Sequence, residues 1–281
     1  MEFPDPKSGD ALKITPVLLL ILTPLGILVG AVLNALADDL PQRVRPRAPH
    51  CQVCNTPYRR WQWAALLALL TGHGRCARCG ARILWRKPVV EIVSVILLVY
   101  VFQKFGLTPK SVLLSLLLEC LLLITVTDLE HRLILHVTVI PSAVAAAAYG
   151  LFGAGLELRA AITRTLIGGL VGYGFFYVIY LLGFVYSKWV AWRRGQPLEE
   201  EAFGGGDPNL GGVVGLAVGW PGIVLTLFYS VMAGGVVAVL YLAVVYLRRK
   251  QEAWFAPIPY GPCIVFGAVL LLLFAEELKR F

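Results

Sequence analysis

Residues 208–247 read PNLGGVVGLAVGWPGIVLTLFYSVMAGGVVAVLYLAVVYL. As one helix, these 40 residues would run about 60 Å at 1.5 Å per residue. That is about twice the hydrocarbon thickness of a bilayer, so the stretch must fold back. Gly219-Trp220-Pro221-Gly222 supplies the turn chemistry for doing so. The first arm is then a short helix that need not cross fully. The rest of the chain has the same character: of 281 residues, 58% are hydrophobic and 15% charged, with a mean hydropathy of +0.75. Soluble domains carry about 25% charged residues, so an ordinary globular protein is excluded. Disorder is excluded by the apolar content. The 28 glycines and 17 prolines have no period, which excludes a collagen-like or repeat architecture. What remains is an all-α polytopic membrane protein.

Spans need about 20 mostly apolar residues. The sequence predicts them at 14–37, 88–103, 111–127, 133–153, 165–187 and 257–274, and as two arms of a hairpin within 208–247. The total is about eight. Residues 14–37 lack the basic start and small-residue cleavage site of a removable signal peptide. With the N-terminus outside and the spans alternating, 17 of the 25 Lys and Arg fall on the inner side. This is the bias expected of cytoplasmic loops, and it also accounts for the net charge of +8 without nucleic acid. Both termini are then outside.

The largest piece between spans follows the first one. From Pro41 to Val90 it carries ten basic residues and no Asp or Glu, so an anionic leaflet would draw it close. Residues 61–70 are apolar but too short to span, which puts them on the membrane surface or against a neighbouring helix. The same piece holds Cys51-x2-Cys54 and Cys76-x2-Cys79, 21 residues apart. Two such knuckles supply the four thiolates of a closed structural zinc site, and a reducing compartment disfavours disulfides. His50 and His73 are near enough to substitute, although the cysteines need no help. Cys120 and Cys263 sit in apolar runs as small core residues. The expected organisation is an extracytoplasmic N-terminus and first span (1–37), a basic cytoplasmic zinc-ribbon-like insertion (38–87) and a transmembrane core (88–281).

Acids within spans are costly and so mark function. Asp128 ends the third predicted span and Asp207 begins the sixth, both at the inner end. Two carboxylates 79 residues apart thus arrive at one depth on one side. Held together they share a proton, so one can activate water while the other protonates a leaving amine. Glu119, nine residues from Asp128, falls on the opposite helix face; it reads as a polar residue paired between helices. Glu91 reads as an ion-pair partner of Arg86 or Lys87. Before Asp207 stand Gly204, Gly205 and Gly206, which permit positive φ and close backbone approach, leaving N–H groups free for an oxyanion.

These motifs together resemble the prepilin peptidases, the type IV leader peptidases of bacterial membranes. Gly30-x-x-Leu33-Asn34 with Leu40-Pro41 resembles the end of the family's first span. The CxxC pairs and Arg86-x-Pro88-x-Val90-Glu91 resemble its zinc domain and the exit from it. Thr127-Asp128-Leu129-Glu130-His131-Arg132 resembles the first catalytic motif, and Gly204-Gly205-Gly206-Asp207-x-x-Leu210 the second. Ile258-Pro259-Tyr260-Gly261-Pro262 resembles the C-terminal signature. The resemblance covers roughly residues 26–275.

It implies an inner-membrane aspartic endopeptidase that cleaves the short basic leader of prepilins or pseudopilins after a glycine at the cytoplasmic face. Asp128 and Asp207 would be catalytic, and Cys51, Cys54, Cys76 and Cys79 would hold zinc. Many members also N-methylate the new N-terminus with S-adenosylmethionine. Charge complementarity points to Glu130, Glu199, Glu200 and Glu201 as contacts for the basic leader. The chain departs from the pattern at Ile134-Leu135, usually Ile-Pro. It departs again at Pro208-Asn209, where a lysine is common, and at Asp39, where an arginine is usual. Two other classes compete: an ion-coupled transporter, which would want acids near the midplane and an internal repeat, and a non-enzymatic scaffold carrying a zinc ribbon.

Overall fold

A computed structural model describes residues 16–153, 155–194, 204–247 and 259–278. Among these the regular structure is helical, apart from two isolated antiparallel bridges, His50 with Pro57 and Arg75 with Arg82. The chain divides into two compact units, one ending at Leu123 and the other beginning at Ile124.

The first unit opens with α1 (Pro16–Asp39). A 3-10 turn (Arg60–Gln62) and the six-residue α2 (Ala65–Leu70) follow within the insertion. Then come α3 (Arg86–Phe105) and most of α4 (Pro109–His131). α1 and α3 lie together along a seam of small residues. A Cβ at Gly26 would sit 2.7 Å from the Val95 Cα, and one at Gly30 would sit 2.6 Å from the Glu91 Cα. Gly26 and Gly30 form the small-xxx-small spacing that lets membrane helices approach at backbone distance. Leu22, Leu98 and Phe102 pack below the seam. Ser94 Oγ donates to Glu119 Oε1 at 2.9 Å, so Glu119 is a polar residue paired between helices, as its sequence position suggests.

The second unit holds the end of α4, then α5 (His136–Phe152), α6 (Leu158–Arg194), α7 (Asp207–Val218), α8 (Gly222–Leu247) and α9 (Gly261–Leu278). α7 touches α5, α6, α8 and α9 and is the element around which the others pack. Its contact with α6 is built from glycines: a Cβ at Gly215 would meet the Gly168 carbonyl and lie 3.0 Å from the Gly169 Cα, and Gly172 faces the Gly211 carbonyl in the same way. With twelve residues α7 reaches only about 18 Å, the short first arm of the expected hairpin. It stops at Gly219, whose φ of +71° suits glycine. The Arg164 guanidinium donates to the Val218 carbonyl at 2.9 Å, satisfying an acceptor that the helix end leaves free.

Six described helices are long and apolar enough to cross a membrane. α5 has 17 residues and α7 has twelve, so the expected eight spans are six long helices and two shorter ones. The ends shift by a few residues except in α6. Expected at 165–187, it runs 37 residues, or about 55 Å. The apolar stretch marks only the part suited to hydrocarbon, whereas helix geometry continues through polar flanks.

Candidate functional site

In the insertion the two cysteine pairs adopt one local structure twice. Cys51 N–H donates to the Thr56 carbonyl at 3.0 Å, and Asn55 N–H to the Cys51 carbonyl at 2.8 Å. In the second copy Cys76 N–H donates to the Ala81 carbonyl at 2.8 Å, and Gly80 N–H to the Cys76 carbonyl at 3.0 Å. The residue after each second cysteine is left-handed, Asn55 at φ 55° and Gly80 at φ 71°; these residue types tolerate that conformation. The four sulfurs lie within 4.8 Å of one another. Cys51 and Cys79 Sγ are 3.6 Å apart, and Cys54 and Cys76 Sγ 3.7 Å. These distances exceed the ~2.05 Å of a disulfide and match the roughly 3.8 Å edge of a tetrahedron with ~2.3 Å metal–sulfur bonds. The group could therefore hold a metal such as zinc. Thr56, whose hydroxyl is 3.2 Å from Cys54 Sγ, holds that thiol down to about 6, toward the ligating thiolate. His50 and His73 stay outside the cluster. His50 Nε2 is 3.7 Å from Asp39 and His73 Nδ1 is 3.3 Å from the Thr71 hydroxyl.

A buried polar junction ties this insertion to α1 and α3. Asp38 pairs with Arg86 and, at 2.8 Å, with Lys87, and accepts from Gln52 Nε2 at 2.6 Å. Asp39 accepts the Arg47 N–H at 2.7 Å and the Arg47 guanidinium at 3.2 Å. Asn34 Nδ2 donates to the Lys87 carbonyl at 2.9 Å. Arg86 and Lys87, the ion-pair partners that the sequence suggests for Glu91, pair with Asp38; Glu91 is fully buried, and its carboxylate accepts the Ala65 N–H at 2.6 Å and the Leu66 N–H at 2.8 Å. It therefore caps α2 from another helix.

Within the second unit, Asp128 lies in the last turn of α4 and Asp207 is the first residue of α7. Both are buried, and Asp128 is within electrostatic reach of Asp207. Each meets the positive end of a helix. Asp207 begins α7 itself, and Asp128 Oδ2 accepts the Gly261 N–H, the first of α9, at 2.9 Å. That amide has no partner inside its own helix. A Cβ at Gly261 would lie 2.6 Å from the same oxygen, so the contact requires glycine. Tyr260 is within electrostatic reach of Asp207, and its hydroxyl donates to the Ser230 carbonyl at 3.1 Å. Cys263, one turn on, is buried within reach of Asp128.

The glycines before Asp207 act by closeness rather than by handedness. None is recorded at positive φ, a conformation that glycine permits without requiring; Gly206 sits at φ −85°, ψ −24°. Its Cβ would meet the Ile134 Cβ at 2.5 Å, so it is the absence of a side chain that lets the α4–α5 loop approach. At Gly204 a Cβ would be 3.4 Å from Asp207 Oδ2, and at Gly205 4.0 Å from the Tyr180 ring. Glu130 is exposed at the end of α4, 3.9 Å from His131 Nε2. Glu199, Glu200 and Glu201 lie outside the described residues. The motif around Gly261 was visible in the sequence; its bond to Asp128, across 133 residues, was not.

These observations define a multi-pass helical membrane protein with two buried carboxylates at helix ends, in electrostatic reach of each other, and a four-thiol cluster in an insertion after the first helix. Residues 115–239 match the model of the type IV leader peptidase family, and residues 25–105 match that of the bacterial peptidase A24 N-terminal domain. The chain belongs to the type IV leader, or prepilin, peptidase family. Relatives named prepilin leader peptidase/N-methyltransferase include one from Pseudomonas aeruginosa, 28% identical over 91% of this chain and 90% of its own length. One from Stutzerimonas stutzeri is 28% identical over 90% of each. One from Bacillus subtilis is 24% identical over 94% of this chain and 97% of its own. No solved structure matches the chain significantly. The matches favour neither the transporter nor the scaffold.

Proposed function

We propose that this protein is a membrane aspartic endopeptidase that removes the basic leader of type IV prepilins or pseudopilins, with Asp128 and Asp207 as its catalytic pair. The observation that carries the reading is the burial of both carboxylates within one unit and in electrostatic reach of each other, on helices 79 residues apart in sequence. Such a pair holds one proton between two carboxyl groups. The ionised member takes a proton from a water, whose oxygen attacks the scissile carbonyl carbon. The protonated member then supplies a proton to the amide nitrogen as the carbon–nitrogen bond breaks.

The membrane setting suits the substrate, because a hydrophobic segment beside the enzyme's helices can present the peptide bond that joins it to a leader outside the lipid. The basic bias of the loops supports termini outside and the carboxylates toward the cytoplasm. In the same reading residues 38–87 form a cytoplasmic insertion whose four cysteines hold structural zinc, and residues 88–281 form the peptidase core. Glu130 and Glu199–Glu201 would receive the leader's positive charge. The N-methyltransferase part of the relatives' names extends the proposal to methylation of the new N-terminus by S-adenosylmethionine. Cleavage of a prepilin in membranes tests the core of the reading: Asp128→Asn or Asp207→Asn should each lower it by about 10²–10⁴-fold while the protein persists. Normal processing by both variants overturns it.

A further inference from the structure

We propose that the segment from Arg59 to Leu70 is an interfacial anchor that docks on the anionic phospholipid leaflet of the protein's own bilayer. The inference uses α1 and α3 as membrane helices and is independent of the peptidase reading. Its first support is depth. Asp38 and Asp39 at the end of α1 pair with Arg86, Lys87 and Arg47, a layer of charge that marks where the two helices leave hydrocarbon. Glu91 stands four residues past Lys87 on α3, about 6 Å deeper. Its carboxylate holds the first amides of α2, Ala65 and Leu66, and so fixes α2 at the level of the lipid boundary.

The second support is what α2 presents. It turns Ala65 and Ala68 inward with Ile83 and leaves Leu67 and Leu70 exposed, Leu70 to 76%. Trp61 and Trp63 are exposed just ahead of it, and Arg59 lies over the Trp61 ring at 5.3 Å. Tryptophan beside arginine, followed by uncovered leucines, is the composition of a segment lying in a headgroup layer. The third support is charge: residues 41–90 contain no acid to oppose an anionic surface, which attracts each basic residue near it by about fivefold in partitioning.

The test uses the full chain, one copy per nanodisc, in phosphatidylcholine alone and in phosphatidylcholine with phosphatidylglycerol. The fluorescence of Trp61 and Trp63 is taken as the difference from a Trp61→Phe/Trp63→Phe variant. It should be quenched by a lipid spin-labelled near the headgroup and shielded from aqueous acrylamide, more strongly with phosphatidylglycerol. Arg59→Gln/Arg60→Gln should weaken the dependence on phosphatidylglycerol, losing about fivefold in docked population per residue, and high salt should act in the same direction. Leu67→Gln/Leu70→Gln, which leaves charge alone, should weaken lipid quenching in both discs. Equal acrylamide quenching in both discs with no lipid quenching overturns the proposal. So does shielding that appears only with two copies per disc, which would make a second chain the cover.

Discussion

The four-thiol cluster and the carboxylate pair solve the same problem in opposite ways. Each gathers groups that are distant in sequence. The cysteines are delivered by two short turns with the same hydrogen bonds in each, and the turns meet at the sulfurs and at Arg78, whose guanidinium donates to the Thr56 hydroxyl at 3.4 Å. The carboxylates are delivered by helix packing. α7 is placed by the glycines of α6, the α4–α5 loop is admitted by Gly206, and Asp128 is fixed by the first amide of α9. A local construction shows in the sequence as spacing. A packed construction shows mainly as glycines, whose partners lie far along the chain. The first should fail through its ligands and the second through added volume.

The largest effect is expected at the cluster, because structural zinc contributes about 10 kcal/mol in small metal-dependent folds. Cys54→Ser should abolish metal binding, measured as metal per chain, and release amide protection over residues 50–82. Protection in α6 and α7 should stay unchanged; loss there as well would erase the distinction between the regions. Next is Gly215→Leu, which forces a side chain into the Gly168 carbonyl. Overpacking of this kind costs about 3 kcal/mol, read in the stability of α6 and α7 toward denaturant, with metal content retained. The smallest is Gly261→Ala. Its methyl group displaces Asp128, and a displacement of about 1 Å should lower kcat for leader cleavage about 100-fold with KM and fold retained. Unchanged kcat would show that the α9 amide does not position that carboxylate.

The fold was largely legible because membrane spans are written as apolar length; length demanded a fold-back within 208–247, and the turn residues Gly219-Trp220-Pro221-Gly222 placed it. The extension of α6 to Arg194 was not, since helical geometry continues where hydropathy ends. At the site, Asp128, Asp207 and the cysteines were visible through charge in apolar surroundings and through spacing. Other partners were hidden for a physical reason: a backbone N–H is common to every residue but proline, so nothing in the letters marks the Gly261 amide, or those of Ala65 and Leu66, as a carboxylate's donor. Asp39 looked like a mere departure from a pattern and is instead a buried acceptor for Arg47.

The twin turns at residues 50–57 and 75–82 have a consequence for how this insertion can change over time. Each closes on its own hydrogen bonds, so the chain between them is a loop with both ends pinned. Lengthening a pinned loop is thermodynamically cheap, about 0.6 kcal/mol for each doubling. Residues can therefore be added at exposed points such as Leu70 to Gly72 while the clasp that bounds the stretch, and the Ala65 and Leu66 amides held by Glu91, stay in place.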